Sequence, residues 1–405
     1  MTDREDPSTS ASEWPPVTFE TLPWTSRLEP GMASRAQIRQ HAGSYAAAIP
    51  PMIARQELRT SADLIALIGD ASSEIARFDA ELGTDIAPFA TVLLRSESVA
   101  SSQIENLTAS ARAIAEAVLT GRSGSGNAAL IVANAQAMTA AIALASDLSE
   151  ATILTMHRVL LQDSQPRIAG RWREEQVWIC GSPIGPHRAT FVPPHHSRIP
   201  LGITDLVTFL ERDDLPVLAH AALAHAQFET IHPFVDGNGR TGRALIQAML
   251  RGKSLTRNVS VPVSAGLLVN VDDYIAALDA YRIGNPRPII EQIASAGFAA
   301  VTNGRQLVAD LRDIRASWND RIRVRRKARA WRIADLLISQ PVINAHVAAA
   351  ATGVTASNVY AALAPLIEAG VLVESTDRQR GRIWRSPEVL TALDDFAARA
   401  GKRGR

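Results

Sequence analysis

The residues in this sequence best suited to chemistry stand within twelve positions, HPFVDGNGRTGR, from His232 to Arg243. The segments AHAALAHAQFETI before them and ALIQAML after them read as helices, so the twelve residues make a turn between two helices. Gly237, Gly239 and Gly242 let backbone N–H groups face an anion at the second helix's entrance, where the helix dipole adds about half a positive charge. Arg240 and Arg243, three apart, project on one side of that helix's first turn. Two guanidiniums beside free amides make a cradle for a polyphosphate. Asp236 offers a hard oxygen to Mg²⁺, which travels with phosphates and takes few protein ligands. His232 is the proton acceptor suited to neutral pH. A base, a metal ligand and a phosphate cradle at this spacing point to phosphoryl or nucleotidyl transfer. The plainer alternative is a glycine-rich turn with a capping Asp and solvated arginines.

The loop resembles the signature of the Fic (Fido) family, HPFx[D/E]GNGRxxR, with every fixed position filled. That resemblance implies a protein adenylyltransferase, which moves AMP from ATP to a hydroxyl of a target protein. It implies His232 as the base for the hydroxyl and Asp236 as the Mg²⁺ ligand. Gly237, Asn238, Gly239, Arg240 and Thr241 would bind the phosphates, and Arg243 would grip the terminal one. Phe234 would be a core anchor. Tyr274, in DDYIAALDAYRIGN, falls where the family offers an aromatic ring to adenine, although a Tyr on an amphipathic helix is as readily core. Upstream, SSQIEN resembles the family's inhibitory motif, filled here by Ser101, Glu105 and Asn106. It implies that Glu105 pairs with Arg243 and holds ATP in an unproductive pose; the plainer alternative is a solvated glutamate or a weak surface ion pair. GRWREEQVWI (170–179) and FVPPHHSRIP (191–200) resemble the family's flap, which would take up a target backbone by strand addition. His195 and His196 replace two of its prolines, Cys180 stands where Gly is frequent, and Trp172 and Trp178 read as packing. Two other readings compete: a DNA-binding regulator with a nucleotide-sensing Fic core, and an enzyme that removes AMP with Glu105 as a base for water.

These motifs need a frame. The chain has 405 residues, 46% apolar, 20% charged and 5% aromatic, with a net charge of +1. Length suggests two or three domains, and the charge excludes a polyanion mimic or a histone-like polycation. The single cysteine, Cys180, excludes an intramolecular disulfide framework and a multi-Cys zinc site. His187, His195, His196, His220 and His225 read as core or solvated histidines, since His220 and His225, five apart, miss the spacing of one helical face. No window reaches the ~18 apolar residues of a membrane span, and the start, MTDREDPSTSASEWPP, lacks the basic and apolar regions of a secretory signal. The expectation is a cytoplasmic protein.

Alanine-rich stretches and short β-branched runs predict a mainly α fold: a Fic/Fido helical core with a small β-hairpin flap, plus a C-terminal winged helix-turn-helix domain. Residues 1–16 read as a disordered tail, and 17–130 as an N-terminal helical region carrying the inhibitory motif, with a break at Pro88 and a loop at 121–127. The catalytic core spans 131–310, interrupted by a hairpin-like flap at 166–200 and by a break near Pro233. Residues 320–405 carry fifteen Lys and Arg against eight Asp and Glu, whereas the rest of the chain is acidic by six. There, two helices, a turn at Gly353, a third helix capped by Thr355 or Ser357, and a basic hairpin follow the winged-helix pattern. Val359, Leu363, Leu366 and Ile367 would face its core. Asn358 and Tyr360 would face a groove, and Arg378, Arg380 and Arg382 would form the wing, as candidate nucleic-acid contacts. The candidate partners are a target protein with a Tyr, Ser or Thr hydroxyl (the chain itself included), DNA or protein at the C-terminal module, and a second copy of the chain. ATP and Mg²⁺ are the implied substrate and metal, and no membrane is implied.

Overall fold

The structure, a computed structural model, describes residues 14–25, 34–82, 86–121, 126–182, 184–375 and 381–401. The first elements correct an expectation. Where a helical region was predicted from residue 17, β1 (Thr18–Trp24) and β2 (Gly43–Ile49) pair antiparallel on either side of the short α1 (Arg35–Gln40), with Thr18 opposite Ile49 and Trp24 opposite Gly43. The Ala46–Ala48 run has helix propensity, but pairing with β1 and burial of Tyr45, Ala47 and Ala48 override it. The predicted tail also ends earlier. Trp14 is buried with its ring 5.8 Å from that of Tyr281, and the Val17 amide donates to Arg282 O at 2.8 Å; residues 1–13 lie outside the described part.

Helices then dominate: α2 (Ala62–Glu81), α3 (Ile86–Ile104), α4 (Ala111–Thr120), α5 (Asn127–Ala143) and α6 (Glu150–Leu161). Pro88 sits in the first turn of α3, where its missing N–H would be unpaired anyway. Ser110 caps α4 by accepting from Ala113 N, and Gly121 ends it in the left-handed region. After the flap come α7 (Ile199–Leu210), α8 (Val217–Ile231), α9 (Asn238–Gly252), α10 (Val263–Leu268), α11 (Val271–Arg282) and α12 (Arg287–Arg321). Besides the expected break near Pro233, the helical stretch is also broken before Val217, at Pro216. α8 is buried on every side from Leu218 to Ile231, because five alanines let its neighbours approach from all directions. α9 packs against it, also buried through most of its length.

α12 runs 35 residues without interruption and carries the apolar face Leu307, Val308, Leu311 and Trp318 across the stretch where a domain boundary was expected, 310–320. Beyond it lie α13 (Arg329–Ser339), β3 (Val342–Asn344), α14 (Ala345–Thr352), α15 (Tyr360–Glu368), β4 (Val373–Glu374), β5 (Ile383–Arg385) and α16 (Pro387–Gly401). The three strands form an antiparallel sheet of order β3-β5-β4. This C-terminal module folds back onto α3 and α4. Arg95 donates to Ser339 O at 3.1 Å, and Asp394 of α16 accepts the Ala111 amide at 2.8 Å. Ala115, Val342 and Leu390 share one buried cluster. No helix among the described residues is long and apolar enough to cross a membrane.

One buried carboxylate ties distant segments together. Asp79 on α2 accepts from the amides of Arg257, Asn258 and Val259 at 2.8–2.9 Å, which shapes the turn between α9 and α10. Asp79→Ala leaves three amides without an acceptor and is expected to cost about 3 kcal/mol, read as a lower urea midpoint with an unchanged slope.

Candidate active site

α8 ends because His232 turns into the left-handed region (φ 48, ψ 61). This conformation is unfavourable for a residue with a Cβ, so contacts must hold it. They are present: His232 N donates to Phe228 O at 2.8 Å, while its own carbonyl accepts from Arg173 Nε at 2.9 Å. Arg173 also donates to the carbonyls of Glu175 and Pro194, so one buried guanidinium joins the end of α8 to the flap. The turn lifts the imidazole out of the core, and it is only partly exposed.

Beyond His232 the loop is pinned from both sides. The Phe234 ring is fully buried, stacked 3.6 Å from His157 and 4.9 Å from Trp172. His157 Nδ1 accepts from Gly170 N at 3.0 Å, so its proton is on Nε2, which donates to Asp236 O at 3.0 Å. Burial pushes that imidazole down to about 4. The Asn238 side chain closes the loop on itself, accepting from Phe234 N and donating to Phe234 O. Its amide group is therefore a staple, and only its backbone remains for a ligand at the entrance of α9. Gly237 N is turned to Asp236 Oδ1 at 2.6 Å. Thr241 is buried, with its hydroxyl unpaired among the described residues.

The charged groups lie one turn further on. Arg240 is buried, bonded weakly to Asp236 at 3.5 Å, and its Nε and Nη1 have no partner among the described residues. Burial lowers its pKa, so its charge calls for an anion. Arg243 is buried and held through two of its nitrogens. It donates Nε to Ser101 Oγ (2.9 Å) and Nη2 to Ser101 O and Glu105 Oε1 (both 2.8 Å). Burial works against its charge, but Glu105 and the surrounding groups raise its pKa above the ordinary value. Glu105 is 40% exposed and stands in the turn just past the end of α3. Asn106 makes that turn by adopting φ +60, which Asn tolerates better than most residues. A Cβ at Gly239 would strike Glu105 Oε1, so the carboxylate lies directly over the entrance of α9. Ser98 and Ser102 hold α3 in this place through Ile131 O and the Asn134 amide.

Behind the loop is a polar row in which Glu229 is the member that sequence reasoning passed over. His225 Nε2 lies 2.6 Å from the Tyr274 hydroxyl, and Glu229 sits between His225 and His232. A Cβ at Gly242 would meet both His225 and Glu229. Tyr274, expected beside adenine, is 3% exposed in this row, next to Arg243, where burial pushes its hydroxyl up. It offers no open ring face, because α11 packs against α8 there. His220 is bonded to Phe209 O at 2.8 Å. Burial pushes His220 and His225 down to about 4, while Glu97, which receives Ser264 N and Oγ inside the core, is pushed up to about 7. These two histidines and His157 stabilise the fold fully above their ordinary value and lose that contribution as pH falls from 6.5 toward 4. Glu97 works in the opposite sense, stabilising below 4.5 and losing this as pH rises toward 7. Between 6.5 and 4.5 the unfolded chain therefore holds about two more protons than the folded chain, and unfolding free energy from urea titrations should fall by about 3 kcal/mol for each unit that pH drops.

The flap carries two isolated bridges, Ile179 to Phe191 and Ser182 to Gly185, and Ala48 N donates to Val192 O, so it leans on β2. Trp178 packs edge-on to Trp24, and His195 bonds Ser197. In the C-terminal module Asn358 and Tyr360 are exposed, and Arg382 pairs with Glu374 at 3.3 Å. Arg378 and Arg380 lie outside the described residues. Thr355 and Ser357, expected to cap the third helix, bond each other instead, because α15 starts later, at Tyr360; Ile367, expected inside, is exposed.

A histidine, an acid and two arginines are thus gathered around one helix entrance. The Fic/DOC family model matches residues 147–250, and the chain carries a Fic/DOC domain there. It is 30% identical over 152 residues to protein adenylyltransferase fic-1 of Caenorhabditis elegans, covering 37% of this chain and 27% of that protein. It is 31% identical over 146 residues to protein adenylyltransferase Fic of Nematostella vectensis, covering 35% and 30%. The chain thus spans less than a third of the length of either relative. A crystal structure of a Fic family protein from Desulfovibrio desulfuricans G20 superposes with a TM-score of 0.53 at 23% identity, over 81% of this chain and 97% of that one, a likeness of fold.

Proposed function

We infer that this chain is a protein adenylyltransferase, moving AMP from ATP to a hydroxyl of a target protein, and that Glu105 restrains it. The observation that carries the reading is Arg240. It is a buried guanidinium with two nitrogens unpaired among the described residues, at the entrance of α9 and one helical turn from a second arginine. His232, at the opposite end of the same turn, takes the proton of the incoming hydroxyl. The hydroxyl oxygen bonds to the α-phosphorus, and the bond from that phosphorus to the bridging oxygen breaks, with its electron pair leaving on pyrophosphate. Arg240 and the backbone amides of Asn238 and Gly239 stabilise charge on the phosphate oxygens.

Asp236 fits Mg²⁺. It is 44% exposed, and Gln165 Nε2 holds its Oδ2 at 2.5 Å. A single hard carboxylate beside a phosphate cradle suits an ion that keeps water and phosphate in most of its positions. When bound, the ion would supply neutralisation of the triphosphate. In this reading 131–310 is the catalytic core. The flap lines up a target strand beside His232, and the C-terminal module is a winged helix that contacts DNA or protein through Asn358, Tyr360 and Arg382. The test is incubation of the purified chain, wild type beside Glu105→Gly, with α-labelled ATP and Mg²⁺. Covalent label retained through denaturation supports the reading, and label in neither protein rejects it.

A further inference from the structure

Glu229 is buried three residues before His232 on α8, and its Oε2 lies 3.7 Å from His232 Nδ1. That separation is a small side-chain rotation from a hydrogen bond. Neither His232 Nδ1 nor Glu229 Oε1 has a hydrogen-bond partner among the described residues, although both are buried. Buried polar atoms without partners are uncommon, and the Nδ1 of His232, with a Glu229 carboxylate oxygen 3.7 Å away, needs an account. The left-handed turn at His232 creates the juxtaposition, since it swings the ring back over the last turn of α8.

We propose that Glu229 is the positioning residue of the base, accepting the Nδ1 proton of His232 and so leaving the Nε2 lone pair for the target hydroxyl. The proposal rests on the adenylyltransferase reading for its chemical meaning. As the hydroxyl proton moves to Nε2, the ring becomes an imidazolium, and the adjacent carboxylate stabilises that charge without itself taking a proton. The surroundings keep the carboxylate ionised. Burial opposes this, but His232 and His225 on its own helix and Arg243 from α9 outweigh it and hold Glu229 down at about 2. From α11, Arg282 adds positive charge, while the Tyr274 hydroxyl stays neutral. Arg173 fixes the His232 backbone from the flap side, so the ring has a set pivot.

The experiment uses the full chain with Glu105→Gly as the active background. Glu229→Gln, which keeps size and removes charge, should lower kcat for AMP transfer about a hundredfold while KM for ATP stays within about twofold. Glu229→Asp, which keeps the charge, should recover part of the rate and stands in if the Gln variant does not fold. Nitrogen-15 NMR of the imidazoles gives a readout independent of activity. His232 should carry its proton on Nδ1 with Glu229 present and shift toward Nε2–H with Gln. If Glu229→Gln keeps both rate and tautomer, the proposal is wrong. It is equally wrong if the rate falls while the tautomer does not move, since Glu229 would then act through packing. If Glu105→Gly transfers no AMP yet the tautomer shifts with Glu229→Gln, the pairing stands and the adenylyltransferase reading fails.

Discussion

Glu105→Gly should raise AMP transfer by the chain at least about tenfold, measured as label from α-labelled ATP on the chain or an added target. The pair it removes joins a buried guanidinium to a carboxylate at 2.8 Å. A hydrogen bond between charged groups is worth about 1.5–3 kcal/mol, and 1.4 kcal/mol corresponds to tenfold. Because Glu105 is 40% exposed, water screens the pair, and the lower end of that range applies. The geometry adds a second contribution, since the carboxylate that leaves also covers Gly239 at the mouth of the phosphate cradle. Glycine supplies no replacement anion, and Ser101 continues to hold Arg243 in place through two hydrogen bonds. Arg243 thereby gains one free N–H on Nη2 without losing its orientation. Unchanged labelling would show that the pair is a structural contact and no restraint.

His232→Ala, in the same released background, should lower transfer about 10³- to 10⁴-fold while ATP affinity by calorimetry changes less than about twofold. A positioned general base contributes on the order of 10²–10⁴ in rate, and alanine leaves no acceptor at that place. Affinity should be spared because the groups proposed to hold phosphate, Arg240, Arg243 and the helix entrance, are on α9, and the hydrogen bonds that place them run to Ser101, Glu105 and Asp236. Wild-type rates in this variant would remove His232 from the chemistry. Weakened ATP binding would mean that the left-handed turn had collapsed and carried the loop with it.

The dozen residues around His232 were legible because their chemistry is local: base, acid, glycines and arginines follow one another within a single turn, and helical segments flank it. Ser101 and Glu105 were legible through their spacing, and the structure brings both onto Arg243. Glu229 was only three positions away and still invisible, since its meaning depends on the backbone reversal at His232, which no composition signals. Arg173 and His157 act on the loop from 59 and 79 residues away, through carbonyls that carry no sequence identity. Tyr274 was ambiguous for a physical reason: an aromatic with a hydroxyl serves a pocket wall or a buried polar row equally well, and packing of α11 decided for the row. Among the elements, β1 and β2 escaped because three consecutive alanines favour helix until a partner strand is present. The reach of α12 escaped because its second half is charged on all but one narrow face.

The amide that opens α4 is capped from α16, and α3 is clasped at Arg95 by the end of α13. Glu105 hangs in the short span between those two fastenings. The Glu105 carboxylate is therefore slung from the far end of the chain as much as from its own neighbours. Trimming the chain after α12 would remove both fastenings at once, so it should loosen the segment that carries Glu105 as well as delete the C-terminal module.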